Sequence, residues 1–115
     1  MINLTFFLDS RERLQQSDEV ELQMFNTILE EDFAKDYLFV MDKQLVINTF
    51  YLEDSIAPFL ENESVLSVLN KDGSKMLPII IRDNQIIKTN GLLNTKEVEE
   101  IFDMGIAIQY SDDDR

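Results

Sequence analysis

Residues 74 to 89 read Ser-Lys-Met-Leu-Pro-Ile-Ile-Ile-Arg-Asp-Asn-Gln-Ile-Ile-Lys-Thr, and they decide the fold. An apolar strand opens on Pro78, turns at Asp83-Asn84 and returns as a second strand over residues 85–89. Proline cannot donate to a ladder, so in a sheet it belongs at a strand start or on an edge. Asp and Asn tolerate positive φ better than most residues, which suits a two-residue hairpin turn.

Working outward, Asn62 precedes Val65, Leu66, Val68 and Leu69 at helical spacing, and Gly73 follows as a left-handed C′ stop. After the hairpin, Asn94 with Glu97 three residues on forms a capping box for a helix over 95–103, closed by Gly105. Upstream, residues 4–8 make a short buried strand. Asp18 and Glu19 suit the first turn of a helix carrying Val20, Met24, Phe25, Ile28, Leu29 and Phe33. With Leu22 added, the apolar arc is wider than packing on one sheet face requires. The extra width serves either a second contact inside the fold or a partner. Residues 36–43 are either the end of this helix or a separate turn. A β-branched strand follows over 45–51, then a short helix through Pro58 and Phe59, capped by Asp54 or Ser55.

The order is β-α-β-α-β-β-α. A parallel first unit joined by a right-handed crossover, then an antiparallel hairpin, gives an α/β fold with a mixed four-stranded sheet of thioredoxin-like type. Residues 1–105 form that domain, and 106–115, ending Ser-Asp-Asp-Asp-Arg, form an acidic tail. In this arrangement the loop after the first strand faces Pro78, whose peptide bond the pattern makes cis. Such a loop commonly holds a thiolate at a helix N-terminus. Here it reads Asp9-Ser10-Arg11-Glu12-Arg13, and the 115 residues include no cysteine and no histidine. The candidate partner-binding residues are therefore Asp9, Ser10, Arg11, Arg13 and Pro78.

Composition narrows the function. One domain, 44% hydrophobic and 29% charged, folds without disulfide or cofactor. No run of roughly 18 apolar residues exists to span a membrane, and the N-terminus lacks a basic region and cleavage site of the secretory kind, which points to the cytoplasm. The net charge is −13. Affinity for DNA comes largely from Lys and Arg neutralising phosphates, so unaided DNA binding is disfavoured. The charge favours a basic protein partner or simply solvates the surface.

Other chemistries lack their groups. Ser10 has no histidine base, so a Ser-His triad is excluded. Glu30-Glu31-Asp32 lacks the alternation and glycine of a calcium loop. Met24, Met41 and Met76 are scattered, as core filler is. Arg11 and Arg13 either receive an anion or pair with nearby acids such as Glu12 and Asp18. No catalytic residue, metal site or cofactor site is read.

The order of short motifs resembles the ArsD family. Those motifs are Phe50-Tyr51-Leu52, Phe59-Leu60-Glu61-Asn62, Val65 with Leu69, Gly73, Leu77-Pro78 and Ile86-Ile87-Lys88-Thr89, with the helix from Asn94 to Phe102 after them. The resemblance covers the C-terminal two-thirds. It implies a thioredoxin-like fold and a regulatory or metallochaperone role in arsenical resistance. Family members carry three cysteines after the first strand; these bind As(III) or Sb(III) and pass it to the ArsA ATPase. Here Asp9 matches the family's aspartate, while residues 10–17 hold no thiol. Soft metalloids want thiolates, and carboxylates are poor replacements. The resemblance thus implies a cysteine-less, non-enzymatic member. It would act in transcriptional regulation, or through contact with an ArsA-type ATPase or with itself. The alternative is an acidic protein-interaction module unrelated to arsenic.

Overall fold

The computed structural model describes residues 1–104. β1 (Ile2–Leu8) pairs in parallel with β2 (Leu45–Tyr51) and antiparallel with β3 (Ile79–Arg82). β4 (Gln85–Thr89) completes the order β2-β1-β3-β4. Between β1 and β2 run α1 (Arg11–Leu14), α2 (Glu19–Ile28) and α3 (Glu31–Met41). Between β2 and β3 run α4 (Ala57–Glu61) and α5 (Glu63–Asp72), and α6 (Thr95–Phe102) follows β4. This is the thioredoxin-like order, with each crossover divided among several helices.

Both sheet faces are covered, and β1 shows why. Ile2, Leu4, Phe6 and Leu8 are buried on one face with Met24, Phe25 and Ile28 of α2, Tyr37 of α3, and Val98, Ile101 and Phe102 of α6. Phe7 points the other way, against Phe59, Val65, Ile79 and Ile81. The two faces are pinned by edge-on aromatic pairs, Phe6–Phe25 at 5.0 Å and Phe7–Phe59 at 5.1 Å between ring centroids.

Most of the wide apolar arc is used inside the fold, while Leu29 stays exposed. The chain breaks at Glu30 (ψ 144), so the expected single helix is two. Val20, Leu22 and Phe33 pack against the core from the two sides of the break. Residues 36–41 belong to α3, which ends on Asp42 in the left-handed region (φ 56, ψ 37).

The hairpin has the anticipated turn. Asp83 and Asn84 both have positive φ, 49° and 74°. The turn is also tied to β1: the Asp83 N–H donates to the Asn3 carbonyl at 3.0 Å, and Asp83 Oδ1 accepts from the Asn3 N–H at 3.2 Å. Asn62 Oδ1 accepts from Val65 N–H, and the Asn94–Glu97 capping box is present in full.

Some boundaries differ from the sequence reading. β1 begins at Ile2 because its N–H donates to the Gln44 carbonyl, which extends the ladder. Ile56 is the residue before α4, though Ser55 Oγ does accept from the Ala57 N–H. Gly73 has φ 84 and ψ 180, an extended positive-φ conformation rather than the left-handed helical one. α6 ends at Phe102, and left-handed Asp103 (φ 59) terminates it. Gly105 and the tail assigned to 106–115 lie outside the described residues.

Candidate functional site

Pairing of Phe7 with Ile79 brings the residue after β1 beside the residue before β3. A cleft of about 300 Å³ opens there, and Asp9, Ser10, Arg13, Asp18, Glu21 and Pro78 contribute to its walls. The Leu77–Pro78 peptide bond is cis.

The loop is held by its own polar groups. Ser10 is the N-cap of α1, its Oγ accepting from the Arg13 N–H at 3.1 Å. Asp18 caps α2, its Oδ1 accepting from the Val20 and Glu21 N–H groups at 3.0 and 3.1 Å. Arg13 Nη1 donates to Asp9 Oδ2 at 2.7 Å and to the Ser74 carbonyl at 3.2 Å.

Arg11 points elsewhere. Its guanidinium donates to both carboxylate oxygens of Asp54 at 2.9 Å and to Glu53 Oε2 at 2.9 Å. Its backbone N–H also donates to Glu53 Oε2, at 3.0 Å, and its Cζ lies 4.0 Å from the centroid of the Tyr51 ring. Hydrogen bonds to Asp54 and then Glu53 push the Arg11 pKa above the usual arginine range, and the bond from Arg11 lowers that of Asp54. The two arginines therefore do pair with acids, but with Glu53, Asp54 and Asp9 rather than Glu12 and Asp18.

Of the five candidate residues, Asp9, Ser10, Arg13 and Pro78 share the cleft, while Arg11 is locked to the loop after β2. Glu53 and Glu21 are not among the residues read from sequence, while Asp18 is read there as a helix start and a neighbour of the arginines, and Asp54 as a cap. A signal for Glu53 and Asp54 existed: β1 and β2 are parallel and Leu8 pairs with Tyr51, so the loops after both strands meet. Burial is the first cause that raises the pKa of Glu21, with Asp18 and Glu97 adding and Lys88 opposing. Asp9, Asp18 and Glu21 face one cation, Arg13, and Arg13 is paired, so the cleft is electronegative.

The Ser10 hydroxyl is engaged as a cap, and the chain has no histidine to activate it. Among the described residues no group of three or more His, Cys, Asp or Glu could hold a metal ion. Met24 is buried in the core and Met41 packs against it, while Met76 sits in the turn before Leu77. No helix of the described residues is long and apolar enough to cross a membrane.

Fold and cleft define a thioredoxin-like domain in which a polar loop stands where the redox loop would be. The family model described as arsenical resistance operon protein ArsD matches residues 20–114, and the chain belongs to the ArsD family. The match begins after the Asp9–Arg13 loop, the part that departs from the family's cysteine pattern. Among solved structures, the chain is similar to the arsenical resistance operon trans-acting repressor from Bacteroides vulgatus. The TM-score is 0.64 at 17% identity, over 92% of this chain and 94% of that one. No curated protein matches.

Proposed function

We propose that this chain is a non-enzymatic regulatory or adaptor member of the ArsD family that works without a thiolate-bound metalloid. Its role is transcriptional regulation in an arsenical response or contact with an ArsA-type ATPase, in the cytoplasm. The cleft formed by Asp9, Ser10, Arg13 and Pro78 is the partner-binding surface, and Arg11 ties the loop that carries it to Glu53 and Asp54 after β2. The observation that carries this reading is the replacement of the family's thiol loop. Family membership rests on residues 20–114, while residues 9–13 hold caps and ion pairs in place of cysteines.

A second reading is an acidic protein-interaction module with no tie to arsenic. The electronegative cleft and the net charge of −13 favour it.

Two binding experiments on one preparation separate these. A low-salt gel shift with the chain's own upstream DNA tests repression, and co-purification with the ArsA-type ATPase of the same genome tests the adaptor role. Either result positive supports the family role. Both negative at micromolar protein overturn it and leave the second reading.

A further inference from the structure

The sheet face under α4 and α5 is not covered along its whole length. These helices, of five and ten residues, seat Phe59 and Val65 against Phe7, Ile79 and Ile81. Toward the other end of the same face, away from the cleft, a second concavity of about 450 Å³ stays open. Its floor is sheet. Glu61 at the end of α4 stands on one side, and Asp83 and Asn84 of the hairpin turn stand on the other.

Strand pairing assembles the floor. Thr5 pairs with Asn48 and Phe7 with Phe50, and Asn3 lies two residues before Thr5 on β1. Residues two apart on a strand share a face about 6.6 Å apart, and neighbouring strands lie about 4.8 Å apart. Asn3, Thr5, Asn48 and Phe50 are therefore within reach of one small molecule. Phe50 leans on buried Phe7, 5.5 Å away between ring centroids, and keeps part of its own surface exposed. The Asn62 and Asn94 side chains are engaged as helix caps. Among the described residues the side chains of Asn3, Thr5, Asn48 and Asn84 take part in no hydrogen bond.

We propose that this concavity binds an uncharged purine nucleoside. Its volume is that of a small-molecule site, and it combines an apolar floor with a few convergent polar groups. A carboxamide carries a donor and an acceptor side by side, which matches the amine and ring nitrogen on one edge of adenine. Phe50 on a flat sheet gives a planar base an aromatic surface to stack on. Ribose hydroxyls are donors for the carboxylates of Asp83 and Glu61. Those carboxylates also repel phosphate: the lining holds no Lys or Arg, and the chain carries −13. Charge therefore selects a nucleoside over a nucleotide or a nucleic acid. A free sugar would supply hydroxyls but no edge for the carboxamides and no ring for Phe50.

Titration calorimetry of the full chain with adenosine, adenosine monophosphate and ribose reads the outcome. Adenosine should bind once per chain. The monophosphate should bind roughly tenfold more weakly or worse, from the repulsion of two carboxylates, and ribose should give only heats of dilution. Asn48 is exposed, so Asn48→Ala should leave the circular dichroism unchanged and weaken adenosine by roughly tenfold, the loss of one bidentate contact. Asn84→Gly keeps the positive φ of the turn, removes a second carboxamide and should also weaken binding. No binding of adenosine overturns the proposal, as does equal affinity for the monophosphate or for ribose. Wild-type affinity in both variants overturns it too.

Discussion

Arg13 joins two distant segments: one nitrogen, Nη1, donates to Asp9 at 2.7 Å and to the carbonyl of Ser74, 61 residues further along, at 3.2 Å. The loop after β1 is thereby joined to the turn that leads into Pro78. A loop that would otherwise offer thiols is organised by an ion pair and a backbone bond instead.

Removing that connection should change order more than stability. The Arg13 and Asp9 side chains are 42% and 29% exposed, so Arg13→Ala should cost less than about 1 kcal/mol in urea unfolding. Hydrogen exchange should quicken at residues 9–14 and 74–77 together. Faster exchange in the first segment alone would show that the contact to Ser74 does not join the two.

Tyr37 anchors α3 to the end of α6. Its hydroxyl is buried and donates to the Phe102 carbonyl at 2.7 Å. Tyr37→Phe keeps the ring contacts with Phe33 and Phe102 and removes that donor. The carbonyl is then left without this partner, and unfolding should become easier by about 1 to 3 kcal/mol. Equal midpoints for the two proteins would contradict this assignment.

Gly73 sits at φ 84, ψ 180, a region open essentially to glycine. A Cβ there would meet no heavy atom within 4 Å, so any penalty is that of the backbone alone. Gly73→Ala should destabilise by about 1 to 3 kcal/mol. The α5 helix should remain by circular dichroism, since its last turn closes through the Gly73 N–H to the Leu69 carbonyl, which alanine also supplies.

Much of this was legible in the sequence because the signals are local. Pro78 and Asp83-Asn84 marked the hairpin, and Asn62 and Asn94 marked two helix starts through caps three residues away. The break at Glu30 was not legible. No proline or glycine stands there, and no side chain caps α3, so tertiary packing of Phe33 and Tyr37 sets the new direction. Asp42 and Asp103 end helices in the left-handed region, where glycine is the usual signal. In the cleft, Asp9, Ser10, Arg13 and Pro78 followed from the fold pattern. The pairing of Arg11 with Glu53 and Asp54 spans more than 40 residues and depends on the parallel register of β1 and β2.

Glu21 carries a pH dependence of definite sign. Its folded pKa is raised above the ordinary 4.5, chiefly by burial. A carboxyl of this kind contributes stability below its unfolded pKa and loses it as pH rises through the folded value. Glu21→Gln should therefore raise the thermal midpoint at neutral pH, with the gain vanishing below the ordinary glutamate range. A gain that grows as pH falls would reverse the assignment.

An ArsD-family scaffold without cysteine has no thiolate with which to capture a metalloid. Titration calorimetry of the purified full chain with As(III) tests it most directly. Heats no different from those of dilution are expected at micromolar protein. A tight, stoichiometric complex would contradict it.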